Sequence, residues 1–592
     1  MLRMLLYILK EYALLFLFIS SILGIGNLLL NCHSSVSKIK EYQISKIFYF
    51  LIKFATGLSI LVLFTQILLI TGFFSKKLFL LFFFTGLISF LYYSYKNHIN
   101  TKIKQYVILN TIVEYSKKFP LLSLLVFIST IAIILKPLRP PLAWDEVAYH
   151  MPHAKYWAES AVLTINSNIR YPWFPYNFDI LYSIPLLFDN DVFPKLIHGA
   201  TGITIGLIGF ILARKNTAIG LLTLCFWLFL SRGMYEKAYV ELGLAFFTSM
   251  AAISIFFWSK KNNPDALLYL GSLFFGVALG IKYQSLMYSL PIFFLFAMNY
   301  KKTDIKSIFT SFLFLMTPCV YWYLRNYIYT GNPINPVAGN LFGHFDWNQI
   351  DYDFQFYKLG TKREIATPIL LVSFLFIFFK NKYSDLSHLY YFLCLSFLIW
   401  FISSGYWRYL YSIFPIMCFF LSVVIYEVFE KFKKKLFSNK NIKIICITMM
   451  SFLIFIYFID SILRLQRSLN YIPYEENVRQ DILKDKIRGY EAIKFINDNN
   501  LGPTYQFRME DSIYYFKHHV MGDTFGYGRY IDFFGLNAKD LKEKLKKYKI
   551  NTVILGEWVD FDQRYFTRSP DLSEHFEEIY NKNNYVIYKV IY

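Results

Sequence analysis

Long apolar stretches separated by short polar segments run through most of the chain. A helix needs about 20 mostly apolar residues to cross the hydrocarbon core of a bilayer. Fourteen stretches meet or approach this requirement, and those at 217–231 and 367–380 are the shortest. They lie near residues 11–31, 47–71, 79–95, 119–138, 192–213, 217–231, 239–258, 266–282, 284–299, 307–325, 367–380, 388–404, 409–429 and 442–462. The pattern predicts an α-helical polytopic membrane protein with about 12–14 transmembrane helices.

Lysine and arginine are concentrated in every second polar segment, from the third apolar stretch to the last. Cytoplasmic loops of membrane proteins collect these residues. The segments expected inside are 96–118, 214–215, 260–261, 301–306, 380–382 and 431–443. The outer side then receives 139–191, 232–238, 326–366, 403–408 and everything after about residue 463. A cytoplasmic position for the loop with Lys38 and Lys40 would leave the N-terminus outside, despite Arg3 and Lys10.

The composition agrees with a membrane protein and excludes an ordinary soluble one. Of the 592 residues, 56% are apolar and only 17% are charged. The formal net charge of +21 would suit a nucleic-acid-binding protein, but the basic residues are spread over many short loops. No nucleic acid partner is therefore expected. All six cysteines lie in or beside apolar stretches without a CxxC spacing, which indicates neither a disulfide framework nor a zinc site.

Three regions follow from changes of pattern along the chain. Residues 1–118 are expected to form N-terminal transmembrane helices, 119–463 a membrane domain, and 464–592 a water-soluble outer domain. In the last region, helices are predicted at 490–498 and at 537–548, the second beginning at Asn537. Their inward-facing side chains are expected to be Ile493, Phe495, Ile496, Leu541, Leu545 and Tyr548. With strands predicted at 552–555 and 585–590, the tail is expected to be a small α/β domain.

Two adjacent carboxylates, Asp145 and Glu146, follow the predicted membrane exit at Pro140-Pro141. The prolines restrict the backbone there, and Asp145 is expected to cap an interfacial helix that runs through Tyr156-Trp157. A carboxylate held at the membrane surface can take the proton of an acceptor hydroxyl. Asp145 is the candidate base and Glu146 a helper, because neighbouring helical residues point in different directions. The alternative is a helix N-terminus at which the helix dipole favours acidic residues.

Four further motifs place charged side chains at predicted outer ends of spans. They are Tyr239-Val240-Glu241-Leu242, Gly276 to Lys282, Arg325-Asn326 followed by Thr330-Gly331-Asn332-Pro333, and Trp407-Arg408-Tyr409-Leu410. The cations Lys282, Arg325 and Arg408 can stabilise a phosphate group. The alternative is that each is an interfacial residue, with Lys282 a lone lysine that extends to the lipid headgroups.

The Asp145-Glu146 pair, after a proline-containing exit and before Tyr149-His150, resembles a motif of the GT-C superfamily of integral membrane glycosyltransferases. The likeness is to the protein O-mannosyltransferase and lipid A aminoarabinose transferase branch, glycosyltransferase family 39 and its relatives. It covers about 119–460, and the four further motifs resemble motifs of this branch in the same order. Glu241 stands where related sequences have Asp. The resemblance implies that Asp145 is the catalytic base and that Lys282 approaches the carrier phosphate.

The function that the resemblance implies is an inverting glycosyltransferase. It would move a hexosyl or pentosyl group from a polyprenyl-phosphate donor to a lipid, glycan or protein acceptor. The membrane would be the bacterial inner membrane, with the catalytic loop 139–191 on the periplasmic face. A hydrophobic groove would hold the prenyl tail, and the outer domain would help to select the acceptor. Residues expected to bind substrate or the lipid phosphate are Tyr149, His150, Glu241, Lys282, Arg325, Asn326, Arg408 and Tyr409.

A cofactor and two other functions remain open. Asp145, His150 and His153 carry metal-ligating atoms, although Pro152 disturbs the helical spacing of the histidines. No cofactor is firmly predicted, and a divalent cation remains an alternative. A transporter or flippase for lipid-linked sugars would show repeated halves and charges near the bilayer midplane, which are not evident. An O-antigen ligase or polymerase would use Arg and His in a late loop, where His344 lies.

Overall fold

The structure is a computed structural model that describes residues 1–32, 45–100, 117–213, 216–260, 264–298, 303–361, 363–438, 440–522 and 529–592. Several basic segments that were predicted to face the cytoplasm lie wholly or partly outside the described residues. They are the loop with Lys38 and Lys40 and the segments 96–118, 214–215, 260–261, 301–306 and 431–443. The sidedness of these loops stays a prediction.

The chain folds into two compact units, each assembled from separate stretches of sequence. The first unit consists of Met1–Arg139, Pro175–Tyr321 and Gly360–Ile472. The second consists of Pro140–Phe174, Trp322–Leu359 and Pro473–Tyr592. The second unit thus gathers parts of the predicted outer loops with the tail. The boundaries at 118 and 463 that the sequence predicts divide the chain into consecutive regions, and they stay a prediction.

Nine helices of the described residues are long and apolar enough to cross a membrane. Their bounds are Leu2–Asn31, Lys46–Thr71, Lys76–Lys96, Pro120–Leu138, Phe193–Leu212, Glu241–Trp258, Ser384–Ser403, Trp407–Lys433 and Lys443–Leu469. The helices Ile305–Met316 and Val320–Thr330 are together also long and apolar enough, if the bent pair is counted as one span. Shorter apolar helices are Thr217–Ser231, Ala266–Leu279, Tyr283–Ala297 and Pro368–Phe379, and the short helix Asp179–Leu186 precedes Phe193–Leu212.

Each of the fourteen predicted stretches overlaps one of these helices or the broken pair. The predicted shortness of 217–231 and 367–380 is confirmed, although the second stretch is a 3₁₀-helix, Pro368–Phe379. A 3₁₀-helix rises about 2.0 Å per residue, so this short stretch reaches further across a bilayer than an α-helix of equal length. The polytopic helical architecture predicted from the hydropathy pattern is confirmed.

The first three membrane helices approach one another closely at small residues. A Cβ added to Gly24 would lie 1.8 Å from the carbonyl oxygen of Gly86, and one added to Gly57 would lie 2.0 Å from that of Ile22. Ser89 donates a hydrogen bond of 2.9 Å to the Gly24 carbonyl. Small residues allow membrane helices to pack backbone against backbone. These contacts explain why this group of helices contains glycine at the crossing points.

Helix Glu241–Trp258 lies at the centre of the first unit, because 94% of its 18 residues are buried inside the protein. A helix that is apolar on all sides is typical of such a position. It packs against Phe193–Ile205, Ala266–Leu279 and the segment Trp407–Ile413. Its first residue is the carboxylate Glu241, so the packing of this one helix fixes where that charge lies.

The tail contains a five-stranded sheet with strand order β2-β1-β3-β5-β4. The strands are β1 (Thr504–Phe507), β2 (Val520–Met521), β3 (Thr552–Leu555), β4 (Phe576–Lys582) and β5 (Tyr585–Val590). Strands β2, β1 and β3 are parallel, whereas β5 runs antiparallel to both β3 and β4. The tail helices are Glu476–Lys486, Tyr490–Asp498, Ala538–Lys547 and Leu572–His575, with short 3₁₀ turns at Glu510–Tyr515, Ile531–Phe533 and Tyr565–Arg568.

The predicted α/β domain is confirmed, and its main elements lie where the sequence placed them. Strands β3 and β5 and helix Tyr490–Asp498 have the predicted bounds, and Asn537 caps the second helix by accepting from the Asp540 N–H. One prediction was wrong: Tyr548 is 48% exposed and does not share the buried stripe. The helix ends at Lys547, so Tyr548 leaves the helical face of Leu541. Strands β1, β2 and β4 were not predicted.

The part of the second unit that precedes the tail is helical and irregular. It comprises the π-helical turn Glu146–His150 and the helices Met151–Ser160, Val320–Thr330, Gly339–Phe342 and Gln349–Thr361, of which Val320–Thr330 begins and Gln349–Thr361 ends in the first unit. The predicted helix through Tyr156-Trp157 is therefore present as Met151–Ser160.

Candidate active site

The predicted site residues divide between the two compact units. The first unit holds Glu241, Lys282, Arg408 and Tyr409, and the second holds Asp145, Glu146, Tyr149, His150, Arg325 and Asn326. Within each unit, the structure brings together residues that are far apart in the sequence.

In the first unit, Glu241 is the meeting point of two cations. Its Oε1 lies 3.1 Å from Lys282 Nζ and 2.9 Å from Arg408 Nε. The Glu241 and Lys282 side chains are only 3% and 9% exposed, and that of Arg408 is 21% exposed. Lys282 is therefore not a lone lysine that extends to the headgroups, because it is buried against a carboxylate. Two cations from distant parts of the chain thus meet at the same carboxylate oxygen.

Helix geometry and a histidine hold Glu241 in place. The carboxylate lies in the first turn of its helix, where the helix dipole favours a negative charge. His198 Nε2 accepts from the Leu242 backbone N–H at 2.9 Å, and the Nδ1 side of the ring lies 3.0 Å from the Lys237 carbonyl oxygen. This pattern assigns the Nδ1–H tautomer to a neutral ring. His198 is thus a hydrogen-bonded polar residue inside its helix, and it anchors the turn that carries Glu241.

Lys282 is positioned by the end of helix Ala266–Leu279 and by Asn177. The fully buried Asn177 amide donates to the carbonyl oxygens of Val277 (3.2 Å) and Pro318 (2.8 Å), and its backbone N–H donates to Gly280 at 2.7 Å. Asn177 satisfies a carbonyl that the helix end would otherwise leave without a partner. It was not identified from the sequence. The available signal is a single amide side chain between aromatic residues at 176 and 178.

Replacing Gly280 with alanine is expected to lower both stability and activity. A Cβ at this position would lie 2.0 Å from Asn177 Nδ2, and Asn177 is hydrogen-bonded on both sides, so it cannot move freely. Forcing an extra carbon into such a packed site costs about 1–3 kcal/mol. The measurement is the thermal unfolding midpoint of the detergent-purified protein. Gly233→Ala is the matched control, since no atom lies within 4 Å of its added Cβ, and an equal effect in both variants would contradict the packing argument.

Arg408 and Tyr409 lie in the first turn of the 3₁₀ segment Trp407–Ile413, whose start is held by two aromatic side chains. The Trp400 indole donates to the Tyr406 carbonyl at 2.9 Å, and the Tyr288 hydroxyl donates to the Tyr409 carbonyl at 2.7 Å. Lys282 Nζ lies 5.8 Å from the centre of the Tyr409 ring. The contact adds a cation–π interaction to the ion pair. Tyr409 therefore belongs to the same cluster as Glu241.

In the second unit, Glu146 and Asp145 have different environments. Glu146 is fully buried, and its Oε2 accepts from the backbone N–H groups of Leu142 (2.9 Å) and Ala143 (3.0 Å). Asp145 is half-buried and precedes the π-helical turn. The expectation that Asp145 caps the helix is wrong, because its backbone is already helical (φ −61°, ψ −33°) and its side chain makes no cap hydrogen bond. Glu146 stabilises the turn instead.

Tyr149 and His150 lie on the π-helical turn and are almost completely buried. Their rings are 4.1 Å apart, and Tyr149 also contacts the edge of Tyr171 at 5.0 Å. Among the described residues, no group of three or more His, Cys, Asp or Glu side chains is arranged to hold a metal ion. The set of Asp145, His150 and His153 considered from the sequence is therefore not grouped as a ligand set. Turns of this π type often occur at functional sites.

The stability of the protein is expected to fall in acid because of His153. Its Nε2 lies 2.8 Å from the Arg170 carbonyl oxygen, and burial lowers the pKa of His153 to about 3. An unfolded histidine titrates near 6.5, so between pH 6.5 and 3 the unfolded state binds more protons and stability rises with pH. The slope is at most about 1.4 kcal/mol per pH unit.

Thermal unfolding midpoints measured from pH 7 to pH 4 test this expectation. The wild type should lose stability below about pH 6.5, and the steepness should decrease in His153→Gln. His575, which pairs with Asp571 at 3.1 Å and whose side chain is 15% exposed, provides a comparison as His575→Gln. Identical pH profiles of wild type and His153→Gln would contradict the assignment.

Arg325 and Asn326 are held together beside the aromatic residues Trp173 and Phe174. Asn326 Oδ1 accepts from Arg325 Nε (3.0 Å) and Nη2 (2.8 Å), while its amide donates to the Trp173 carbonyl at 2.8 Å. Arg325 Nη2 also donates to the Phe174 carbonyl at 3.3 Å. The Nε edge of the guanidinium is thus used inside the protein. Asn326 fixes the direction of Arg325.

A turn follows Arg325-Asn326 at Thr330-Gly331-Asn332-Pro333. Gly331 has a φ of +73°, a conformation that favours glycine. The buried Asn332 amide donates to the carbonyls of Val337 (3.0 Å) and Gly343 (2.8 Å). These side-chain hydrogen bonds hold the two backbone segments of the loop together. The asparagines of this motif therefore organise the loop itself.

His344 is the residue for which an O-antigen ligase or polymerase was kept as an alternative function. Its side chain contacts residues of its own loop. Its Nδ1 lies 3.1 Å from the Trp347 carbonyl and its Nε2 2.9 Å from Gln349 Oε1. The imidazole also stacks on the Tyr352 ring at 4.7 Å. These contacts give His344 a structural role in the segment 339–352.

An apolar cavity of about 720 Å³ lies within the first unit. Its walls come from helices Leu2–Cys32 and Lys76–Asn100 and from residues 184–197. Among the lining side chains only Ser21 and Asn190 are polar, and the others include Leu17, Phe84 and Phe188. A cavity of this size and composition suits a hydrocarbon chain.

The tail matches a family model described as SF2091/S2213, over residues 478–589. Two curated proteins of Shigella flexneri are similar over short segments. "Uncharacterized protein SF2092/S2214" is 38% identical over 55 residues, which are 9% of this chain and 30% of that protein. "Uncharacterized protein SF2093/S2215" is 36% identical over 75 residues, 12% of this chain and 36% of that protein. The chain thus spans about a third of the length of these relatives.

Solved structures resemble the chain over most of its length. The crystal structure of ArnT from Cupriavidus metallidurans bound to undecaprenyl phosphate is similar with a TM-score of 0.50 and 10% identity, over 80% of this chain and 98% of that chain. The oligosaccharyltransferase AglB from Archaeoglobus fulgidus, in complex with an inhibitory peptide and a dolichol-phosphate, has a TM-score of 0.44 and 12% identity, over 74% and 70%. At these identities a likeness concerns the fold, and the ArnT likeness carries the assignment. The chain is an α-helical polytopic membrane protein with a GT-C-like fold, which it shares with ArnT.

Proposed function

We propose that the protein is an inverting glycosyltransferase that moves one sugar from a polyprenyl-phosphate carrier to an acceptor hydroxyl. The observation that carries the proposal is the buried cluster in which Lys282 and Arg408 converge on Glu241. Lysine and arginine side chains that meet at one buried site can also bind an anion such as a phosphate. A phosphate bound there would be the leaving group of the transfer reaction.

Asp145 is proposed as the general base. As the acceptor oxygen attacks the anomeric carbon of the donor, its proton passes to the Asp145 carboxylate and the bond between that carbon and the phosphate oxygen breaks. The electron pair of this bond leaves with the phosphate. A single displacement inverts the anomeric configuration, since no covalent intermediate is formed. Glu146 would assist by keeping the turn at Leu142 and Ala143 in place, as its two backbone hydrogen bonds indicate.

The other site residues are assigned to substrate binding. Lys282, Arg408 and Tyr409 would contact the phosphate or the sugar next to it, with Glu241 holding the cations at the correct spacing. Arg325, oriented by Asn326, would provide a further cation for the leaving group. Tyr149 and His150 are proposed to line the acceptor side of the reaction centre.

The prenyl tail of the carrier is proposed to occupy the apolar cavity of about 720 Å³ in the first unit. Helix faces rich in leucine and phenylalanine offer an isoprenoid chain the same surroundings as lipid. The ArnT structure that shares this fold contains undecaprenyl phosphate, which supports a lipid-linked donor. We further propose a bacterial inner-membrane location with the catalytic loop on the periplasmic face, as the distribution of basic loops suggests.

The test is a transfer assay with the full chain purified into lipid nanodiscs. A panel of polyprenyl-phosphate hexoses and pentoses is supplied together with lipid, glycan and peptide acceptors. The expected result is that one donor is consumed, free polyprenyl phosphate is released and an acceptor gains one sugar with inverted configuration. Movement of an intact donor between leaflets without its consumption would contradict the proposal and support a flippase.

A further inference from the structure

A second, smaller cavity lies in the second unit, where helix Met151–Ser160 of the outer loop meets residues 513–520 of the tail. Its volume is about 220 Å³. Pockets that enclose drug-sized ligands measure roughly 300–1,000 Å³, so this cavity suits a single ring. Side chains that line it include Tyr156, Glu159, Asn166, Tyr514, Lys517 and His518.

The two walls of the cavity are joined by hydrogen bonds, so the space is formed before any ligand binds. Lys155 Nζ, on the loop helix, donates to the backbone carbonyls of Tyr514 (3.2 Å) and Phe516 (2.7 Å) in the tail. The Tyr515 hydroxyl donates to the carbonyl of Pro141 at the membrane exit. A preformed cavity loses less conformational entropy when a ligand enters it.

The lining combines aromatic surface with neutral and charged hydrogen-bonding groups. Tyr156 and Tyr514 provide ring surface for the C–H face of a sugar, while Glu159 and Lys517 can bind its hydroxyl groups. His518 Nε2 is buried and makes no hydrogen bond with any residue that the structure describes. Burial also lowers the pKa of His519, which favours the neutral ring. A carboxylate among the lining groups disfavours a phosphate, so an uncharged polar ring fits best.

Two residues that line the cavity also pack against the turn that carries the proposed base. Tyr156 and Ile169 line the cavity, and both also pack against Ala148 and Tyr149. Asp145 precedes Ala148 in the same turn. A ring bound in the cavity would therefore rest against the residues that follow the base.

We propose that this cavity binds one sugar ring of the acceptor and so determines which acceptor is glycosylated. The assignment of the bound sugar to the acceptor rests on the proposed transferase function. The proposal also explains why the tail is joined to the outer loop, because the acceptor site needs one wall from each.

The first experiment measures sugar binding alone, without any transfer. Saturation-transfer NMR on the full chain in nanodiscs, with a panel of methyl hexosides and methyl N-acetylhexosaminides at millimolar concentration, is expected to detect binding of at least one. Tyr156→Leu and His518→Ala should weaken that affinity by about fivefold to tenfold, the loss expected on removing one well-packed contact. Tyr565→Ala, an exposed tail tyrosine away from the cavity, is the control and should bind as the wild type does. Absence of binding to the wild type, or equal binding by all variants, would overturn the proposal.

The second experiment assigns the bound ring to acceptor or donor. In the transfer assay, Tyr156→Leu should raise the KM for the acceptor and leave the KM for the donor unchanged. A higher KM for the donor alone would overturn the assignment to the acceptor. If wild-type protein binds methyl glycosides but transfers no sugar from any donor, the transferase function fails while the sugar site stands. Lys517→Ala, at an exposed position of the lining, replaces Tyr156→Leu if that variant does not fold.

Discussion

Replacing Asp145 with asparagine is expected to lower the rate of sugar transfer by about 10²–10⁴-fold, the usual contribution of a general base. Asparagine has nearly the same shape but cannot take the proton of an acceptor hydroxyl. The measurement is the initial rate of polyprenyl phosphate release at saturating donor and acceptor, with the thermal unfolding midpoint as a check on folding.

Two comparisons separate the loss of a base from a general effect of charge. Asp189→Asn removes another carboxylate from the same outer segment, at an exposed left-handed position (φ +57°) that asparagine tolerates, and it should leave the rate unchanged. Glu146→Gln should lower stability more than Asp145→Asn, because Glu146 accepts two backbone hydrogen bonds in a buried site. A well-folded Asp145→Asn protein with wild-type turnover would eliminate Asp145 as the base.

Replacing Glu241 with glutamine is expected to destabilise the protein by about 3–5 kcal/mol, the cost of leaving a buried charge without its partner. Here two cations, Lys282 and Arg408, lose the same carboxylate. Their mutual repulsion should also displace them and raise the KM for the lipid-linked donor. The measurements are the thermal unfolding midpoint and the donor dependence of the transfer rate.

The chain offers controls for both parts of this prediction. Glu241→Asp keeps the charge and introduces the residue found at this position in the sequences that the motif resembles, so it should retain most of the stability. Glu491→Gln breaks an exposed pair with Lys582 (3.1 Å; side chains 38% and 58% exposed), and such pairs contribute at most about 1 kcal/mol. If Glu241→Gln were as stable as Glu491→Gln, the central role of the cluster would be wrong.

A double-mutant cycle tests whether Glu241 and Lys282 act as a pair. Glu241→Gln combined with Lys282→Gln removes one charge of each sign and leaves Arg408. The double variant is expected to be more stable than the sum of the single effects predicts, by about 0.5–3 kcal/mol for residues in contact. Exact additivity would indicate that the 3.1 Å ion pair has no energetic coupling.

The sequence alone predicted the membrane helices and much of the tail because both depend on local patterns. A span must satisfy its own backbone hydrogen bonds in lipid, so its length and apolarity are visible in one stretch of residues. For the same reason, Asn537 and the alternation at 585–590 were sufficient to locate a helix start and the last strand. The short edge strand β2 and strand β4 lack such a pattern, since β4 is largely exposed on both faces.

Tertiary structure decided the relations between residues that are distant in sequence. Glu241 and Lys282 are individually recognisable in the sequence, but only helix packing brings their atoms to 3.1 Å and adds Arg408. It also decided which carboxylate of the Asp145-Glu146 pair is structural, because the fold of the membrane exit directs Glu146 back to Leu142 and Ala143. Hydropathy and turn signals are properties of neighbouring residues, whereas ion pairs and cavities depend on how the finished elements pack.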